Sequence, residues 1–248
     1  MPKVRVNDGE GFRMSSTPIA ISDRARFQPA SDRSLLVYFG EKISLDSHRF
    51  VRQLLRLLEL EPVSGVRNLH PAYCSLLLNF DVLKLTHDEL EKILRGYLSR
   101  LADVSLPEPR YMEIPVSYGG EFGPDLDEVA SICGLAPSRV IELHSSVNYI
   151  VHFLGFVPGF AYLGELPEAM ATPRLSTPRR TVPPGSVGIA GNQTGVYPFA
   201  TPGGWRLIGR AAIAMFRPDN NDMSYLSIGD RVHFTPISRL EFAALQKS

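Results

Sequence analysis

The chain has 248 residues, of which 44% are apolar and 21% are charged. This composition is typical of a globular protein and excludes collagen-like, disordered and disulfide-scaffold chains. Its 26 basic and 26 acidic residues give a net charge of zero, which argues against a general binder of nucleic acid or of acidic membranes.

Cysteine content and hydropathy indicate the compartment. Cys74 and Cys133 are the only cysteines in the sequence, so we expect a reduced chain with both thiols buried as small apolar groups. No apolar run approaches the roughly 18 residues that span a bilayer, and no charged-then-apolar leader opens the chain. We therefore expect a cytoplasmic protein with neither membrane nor nucleic acid among its partners.

The first part of the sequence reads as a tail and a small α+β domain. Residues 1–18 show no sustained periodicity, and we expect them to form a mobile tail. Residues 19–106 alternate strand and helix patterns, which is typical of a small α+β domain. The predicted elements are a strand over 34–39, a helix capped by Asp46, strands over 65–69 and 73–80, and a helix opened by a Thr86–Glu89 capping box.

A second domain is predicted over residues 107–248, after the linker prolines Pro107 and Pro109. Between residues 155 and 209, 18 of 55 residues are Gly or Pro, which favours short strands and tight turns. A β-barrel closes such strands without exposed edges. The predicted elements are strands over 111–116, 148–154, 186–190, 205–211 and 231–234, and helices over 125–133, with Asp125 as part of a capping arrangement and Gly134 as C-cap, and 137–146.

Charge is distributed unevenly in this second domain. Residues 169–218 contain six arginines and no acidic residue. Arg174 and Arg179 each follow a Thr-Pro pair, and proline stiffens the turn that presents each guanidinium. Because the guanidinium fork pairs with carboxylate or phosphate, we predict a rigid anion site there. Two alternatives stay open: the arginines pair with acids of the N-terminal domain or are solvated, and the two turns are unrelated.

Other sequence features bear on three kinds of site: a phosphate-binding loop, a metal site and an acid–base residue. The glycine-rich stretch 188–195 lacks the Gly-Lys-Ser/Thr ending of a P-loop, so it excludes an autonomous P-loop ATPase and leaves Gln193 and Thr194 as polar donors on a turn. Six histidines show no metal-ligand spacing, and no metal site is expected. His144 ends a predicted helix, where it is the best general acid or base or, equally, a structural cap.

One pattern resembles a DNA-binding motif. Residues 127–146 match the spacing of a helix-turn-helix. The presumed recognition helix offers only Arg139 as a cation, whereas DNA binding normally depends on several phosphate contacts. The sequence therefore favours a packed helical hairpin.

Ordered motifs in the second half carry a family resemblance. They read PVSYGG at 115–120, GFVPGFAYL at 155–163, VPPGSV at 182–187, QTGVYP at 193–198 and PGGW at 202–205. With these motifs the chain resembles, over about residues 20–240, the 5-oxoprolinase B-subunit family, also called allophanate hydrolase subunit 1 or the KipI kinase-inhibitor family. Ala161 and Pro184 depart from residues that are common in the family.

The resemblance implies a small N-terminal α+β domain followed by a cyclophilin-like β-barrel. It implies two partners, the C subunit first and then the A subunit, in an ATP-dependent 5-oxoprolinase that opens 5-oxoproline to glutamate. ATP with Mg²⁺ would be shared with the partner subunits, and the isolated chain would be nearly inactive. Two alternatives are a regulator that binds a sporulation-type histidine kinase and a protein related to a urea carboxylase or allophanate hydrolase component.

Roles for individual residues follow as hypotheses from this resemblance together with the arginine pattern. Arg174 and Arg179 are expected to contact the substrate carboxylate or a phosphoryl group, and His144 to shuttle a proton. An apolar patch is expected to dock either the C subunit or a kinase. Gln193, Thr194 and Tyr197 would orient the lactam, Trp205 would line the pocket or belong to the core, and Phe153, Phe156, Phe160 and Tyr162 would form the patch.

Overall fold

A computed structural model describes residues 25–219 and 222–247. The tail predicted over residues 1–18 lies outside the described residues. The first unit is a four-stranded antiparallel sheet whose core also includes two helices. Its elements are β1 (Arg26–Ser31), β2 (Ser34–Tyr38), α1 (Leu45–Leu60), β3 (Val66–Pro71), β4 (Ser75–Phe80), α2 (His87–Leu98) and a 3₁₀ turn (Leu101–Asp103), with sheet order β1-β2-β4-β3.

Local signals at the helix ends are confirmed in part. The Thr86–Glu89 capping box is present at the start of α2. The prediction that Asp46 caps α1 is wrong, because the Ser44 side chain accepts the hydrogen bond from a first-turn amide and Asp46 lies inside that turn. Cys74 and Cys133 are free thiols, but both are partly rather than fully buried.

The second unit is a closed seven-stranded barrel with strand order β10-β7-β6-β13-β5-β12-β9. Strands β13 and β5 run parallel, and the other pairs in the barrel are antiparallel. The α+β class with a C-terminal barrel is therefore confirmed. The elements are β5 (Tyr111–Tyr118), α3 (Leu126–Cys133), α4 (Pro137–Ser145), β6 (Asn148–Leu154), β7 (Ala161–Gly164), a 3₁₀ turn (Glu168–Met170), β8 (Arg179–Val182), β9 (Ser186–Ala190), β10 (Gln193–Val196), β11 (Thr201–Gly203), β12 (Arg206–Ala211), β13 (Arg231–Pro236) and α5 (Arg239–Leu245).

The glycine-rich stretch 188–195 spans a β-hairpin, whereas the sequence suggested a turn with free donors. Gln193 and Thr194 open β10 and pair with β9. A side chain at Gly188 would come within 3.1 Å of the Trp205 Cβ, and one at Gly195 within 2.9 Å of the Ala161 carbonyl oxygen. These two glycines therefore allow close packing beside the strands.

The two units touch along a seam of aromatic and imidazole rings. Tyr73, between β3 and β4, packs on His152 and Phe153 of β6, with ring centroids 5.0 Å apart in both cases. The imidazole of His48 on α1 lies 4.6 Å from that of His152, and its Nε2 is 2.8 Å from the His152 carbonyl oxygen. The first unit therefore contacts the barrel through β6. We call these four residues the domain seam.

No helix within residues 25–219 and 222–247 is both long enough and apolar enough to cross a membrane.

Candidate functional site

The six arginines of the acid-free segment have different environments. Arg206 pairs with Glu128 on α3 at 2.6 Å. The Arg210 guanidinium lies 4.5 Å from the ring centre of Phe122, and the Arg217 guanidinium lies 5.8 Å from that of Tyr225. The positive charge predicted from the sequence is therefore partly neutralised or stacked within the fold, but the acid that pairs with Arg206 belongs to the second domain and not to the N-terminal domain, where one open alternative placed it.

Arg179 is bound to an acidic residue of its own chain. Its Nη2 lies 2.6 Å from Oδ1 of Asp125, whose Oδ2 accepts a 2.6 Å hydrogen bond from the Leu207 amide. The Asp125 side chain makes no capping bond to α3, so the predicted capping arrangement is wrong, whereas Gly134 does end α3 in the left-handed conformation. Asp125 thus links Arg179 on β8 to the barrel strand β12, and the structure does not support Arg179 as a free anion contact.

Arg174 differs from Arg179 in having no ion pair. Its side chain is exposed and forms no hydrogen bond or salt bridge with any residue in the described ranges. The backbone around it is held on both sides: the Pro173 carbonyl accepts from Nε of Arg206, and the Leu175 amide donates to the Gly204 carbonyl at 2.8 Å. These anchors flank Trp205 in the sequence, so the backbone of the loop that carries Arg174 is fixed to the segment that contains Trp205.

An aromatic cluster surrounds this loop. Trp205 and Tyr197 are buried, and both pack edge-on against Phe160 at ring distances of 5.5 and 5.2 Å. Tyr162 lies 5.9 Å from Trp205 and 6.3 Å from Tyr73 of the first unit. We refer to Arg174, Tyr73, Tyr162, Tyr197 and Trp205 as the Arg174 cluster.

Burial keeps the three tyrosines of the cluster protonated. Burial raises the pKa of Tyr73, Tyr162 and Tyr197, and the nearby positive charge of Arg174 opposes the rise in all three cases. Neutral phenols donate hydrogen bonds and do not exchange protons near neutral pH. The cluster therefore combines one cation, neutral donors and flat apolar faces, which suits a small ring bearing a carboxylate.

His144 and Thr194 lie elsewhere, inside the barrel. His144 is 0% exposed, and burial lowers its pKa to about 3. Its Nδ1 is 2.8 Å from the Tyr118 hydroxyl and its Nε2 is 2.9 Å from Oγ1 of Thr194, which in turn donates to the Gly188 carbonyl. The buried, neutral imidazole therefore links α4 to β5 and β10, which is a structural role different from the predicted helix cap. Because no atom of His144 is exposed, the structure does not support the predicted proton shuttle.

The other predicted residues also lie outside the Arg174 cluster. Gln193 is half-buried at the start of β10, where it pairs with Gly164 of β7, and it is not part of the Arg174 cluster. Of the predicted apolar patch, Phe156 is 58% exposed but Phe160 is only 2% exposed. Phe156 instead borders a groove of about 780 Å³ shared with Met223, and Phe153 lies in the domain seam.

The arrangement of side chains and amides also bears on metal and phosphate binding. Within 25–219 and 222–247, no group of three or more His, Cys, Asp or Glu side chains is arranged to hold a metal ion. The amides of Gln193 and Thr194 belong to paired strands and do not converge as a phosphate cradle would.

Two residues of interest carry no distinguishing signal in the sequence. Tyr73 opens the strand predicted over 73–80 with no pattern to separate it from an ordinary strand residue, and Asp125 has the position of a helix cap. Both contact residues that are distant in the sequence: the Tyr73 ring packs against that of Tyr162, and the Asp125 carboxylate accepts a hydrogen bond from the Leu207 amide.

Comparison with known proteins agrees with this architecture. Residues 25–226 match the family model described as carboxyltransferase domain, subdomain C and D. Among solved structures, the Kluyveromyces lactis urea carboxylase superposes with a TM-score of 0.74 at 19% identity, over 90% of this chain and 22% of that chain. At that identity the likeness shows the fold alone, which is that of a carboxyltransferase-type barrel with its attached α+β unit.

Closer relatives narrow the assignment. Proteins named as the B subunit of 5-oxoprolinase, from Bacillus subtilis (strain 168) and Escherichia coli O157:H7, are 40% and 44% identical over 234 and 218 residues, covering 90% and 86% of this chain and 98% and 96% of the relatives. The crystal structure of TTHA0988 is 39% identical with a TM-score of 0.73, over 83% of this chain but 40% of that longer chain. The chain belongs to the 5-oxoprolinase B-subunit family, and the resemblance seen in its motifs is confirmed.

Proposed function

We propose that this chain functions in the cytoplasm as the B subunit of an ATP-dependent 5-oxoprolinase, working first with the C subunit, then with the A subunit, to convert 5-oxoproline to glutamate. The near-complete overlap with relatives named as 5-oxoprolinase B subunits supports this role. ATP and Mg²⁺ would bind with groups that the partner subunits supply, because this chain offers no phosphate cradle of its own in the hairpin over residues 188–195.

The substrate has two features that the Arg174 cluster matches. Its carboxylate suits a guanidinium, and its flat five-membered lactam suits aromatic faces and hydroxyl donors. The observation that carries the proposal is the state of Arg174: its guanidinium has no ion pair within the described residues, whereas Arg179 and Arg206 are bound by Asp125 and Glu128. An unpaired arginine on an anchored loop is ready to bind an anion with little loss of entropy.

The same cluster lacks a general acid or base for ring opening. Its titratable side chains are one arginine and three tyrosines whose pKa values are raised. Such groups bind and orient a substrate but do not transfer protons near neutral pH. We therefore expect this chain to contribute substrate binding, with the proton-transfer groups coming from the partner subunits, and the isolated chain to be nearly inactive.

Replacing Arg174 with Ala is expected to lower kcat/KM for 5-oxoproline in the co-expressed A, B and C complex by about 100-fold, the loss of a charge-assisted bidentate contact. Arg174→Lys, which keeps the charge but not the fork, should fall between the wild type and the Ala variant. The measurement is ATP- and 5-oxoproline-dependent formation of glutamate, with assembly checked by size-exclusion chromatography.

Arg180→Ala is the matched control, because Arg180 is also exposed on a nearby strand of the same segment. It should stay within about twofold of the wild type, as isolated surface substitutions generally do. Equal activity of the Arg174 and Arg180 variants, or loss of complex assembly in the Arg174 variant alone, would contradict a substrate contact at Arg174.

A further inference from the structure

Tyr73 is the member of the Arg174 cluster that comes from the first unit. The turn that carries it is closed by a 2.8 Å hydrogen bond from the Ala72 amide to the Ser75 carbonyl. Its ring contacts His152, Phe153 and Tyr162 of the barrel, so five rings from Tyr73 to Trp205 form one continuous aromatic surface. The hairpin thus places one phenol of the α+β unit at the end of this aromatic surface, near enough to Arg174 for its charge to act on the pKa of that phenol.

The Tyr73 hydroxyl has no hydrogen-bond partner among the described residues, although its oxygen is buried. Nδ1 of His152, in the ring packed against it, is also buried and without a partner in that part of the chain. A buried polar group that lacks a partner destabilises a fold, whereas a phenylalanine of the same shape would not. The hydroxyl therefore does not stabilise the free chain, and we expect its role to lie in a complex with a ligand.

We propose that Tyr73 is a substrate-binding residue, whose hydroxyl donates a hydrogen bond to the carboxylate of the small cyclic ligand that Arg174 holds. This inference rests on the proposed function of the Arg174 cluster and extends it to the α+β unit. The ligand then bridges the two units, with the guanidinium on the barrel side and the phenol on the hairpin side. Because the hydroxyl is covered in the free chain, a neighbouring side chain has to move before a ligand can reach it. The Arg174 side chain can move in this way, since it is exposed and forms no bond within the described residues.

The pairing also accounts for ligand choice. A carboxylate has enough lone pairs to accept from a guanidinium and a phenol at once. A cyclic amide without the carboxylate would leave both donors unpaired in a partly buried site, which disfavours it strongly. We therefore expect Tyr73 to contribute to discrimination between 5-oxoproline and the neutral lactam 2-pyrrolidinone.

The test is Tyr73→Phe in the complete A, B and C complex, read by steady-state kinetics, together with thermal unfolding of the purified chain. The variant is expected to raise KM for 5-oxoproline about tenfold, the range of one hydrogen bond to a charged group, with kcat within about twofold. Its Tm should equal or exceed that of the wild type, because a buried unpaired hydroxyl is removed. Inhibition by 2-pyrrolidinone should not weaken.

Tyr97→Phe is the matched control, because the Tyr97 hydroxyl does have a partner, the Glu61 carbonyl at 2.9 Å. It should lower Tm slightly and leave KM unchanged. A Tyr73→Phe variant that unfolds at a lower temperature than Tyr97→Phe would show that the hydroxyl is structural and would overturn the inference. An unchanged KM in Tyr73→Phe would overturn it as well.

The Arg174 variants separate this inference from the proposed function. If Arg174→Ala loses activity while Tyr73→Phe keeps the wild-type KM, the cluster binds substrate without help from the α+β unit. If Arg174→Ala itself is as active as the wild type, the cluster is not the substrate site, and both proposals fail together.

Discussion

Acidification from pH 6.5 to pH 4.5 is expected to reduce the free energy of unfolding of this protein steeply. Three buried histidines have pKa values well below the ordinary 6.5: His144 at about 3, and His48 and His152 at about 4. Over this pH range the unfolded chain binds up to three more protons than the folded chain. Linkage then gives a loss of about 1.4 kcal/mol per pH unit for each histidine, or about 4 kcal/mol per pH unit for the three, as an upper value.

The sign of this pH dependence follows from the environment of each histidine. In all three histidines, burial is the main cause of the lowered pKa. Arg52 and Arg231 lower the pKa of His48 further, while its hydrogen bond to the His152 carbonyl acts in the opposite direction. Stability is therefore retained above pH 6.5 and is lost as the pH falls towards the pKa values of the folded state.

Urea unfolding at fixed ionic strength between pH 7.5 and 4.5 measures this slope. His144→Gln provides an internal control, since its amide does not titrate. The variant should be less stable at pH 7.5, because the Tyr118 and Thr194 bonds change, but its slope between pH 6.5 and 4.5 should fall by about one third. A slope that stays the same in the variant, or a wild-type stability that is flat over this range, would show that His144 is not held neutral by the fold.

Sequence reasoning succeeded where the deciding interactions are local. The Thr86–Glu89 capping box and the Gly134 C-cap each involve residues within a turn or two, and both were predicted correctly. Apart from the six-residue β1, the strands that sequence reasoning missed are short: β7, β8 and β10 have four residues each, and β11 has three. Too few residues are present in such strands for an alternating pattern to emerge, and their pairing depends on partners elsewhere in the chain.

Site residues were harder to predict because the environment decides their role. The arginine-rich, acid-free segment was visible in the sequence, but the acids that bind Arg179 and Arg206 lie outside that segment. Residue type and spacing gave His144 a place at a helix end, whereas the packing of α4 on the barrel buries it completely. Arg174 stands out only after Arg179 and Arg206 are seen to be paired and the tyrosines near Arg174 have been located.

Removal of the Asp125 carboxylate is expected to be among the most destabilising single changes in the barrel. The Asp125 side chain is 8% exposed, and that of its partner Arg179 is 28% exposed. Asp125→Ala leaves a largely covered guanidinium without a counter-charge and the Leu207 amide without an acceptor. Because breaking one side of a buried pair leaves an uncompensated charge, the expected loss in the free energy of unfolding is about 3 kcal/mol.

Glu142→Gln supplies the comparison, since its pair with Arg139 is exposed on both sides, at 66% and 50%. This exposed pair should contribute no more than about 0.5 kcal/mol. Chemical denaturation of both variants and of the double variant Asp125→Ala/Arg179→Met completes the measurement. The double variant should recover part of the loss, because it removes the unpaired charge and keeps apolar volume. If Asp125→Ala were no less stable than Glu142→Gln, Arg179 would be free to bind an anion after all, and the contrast with Arg174 would disappear.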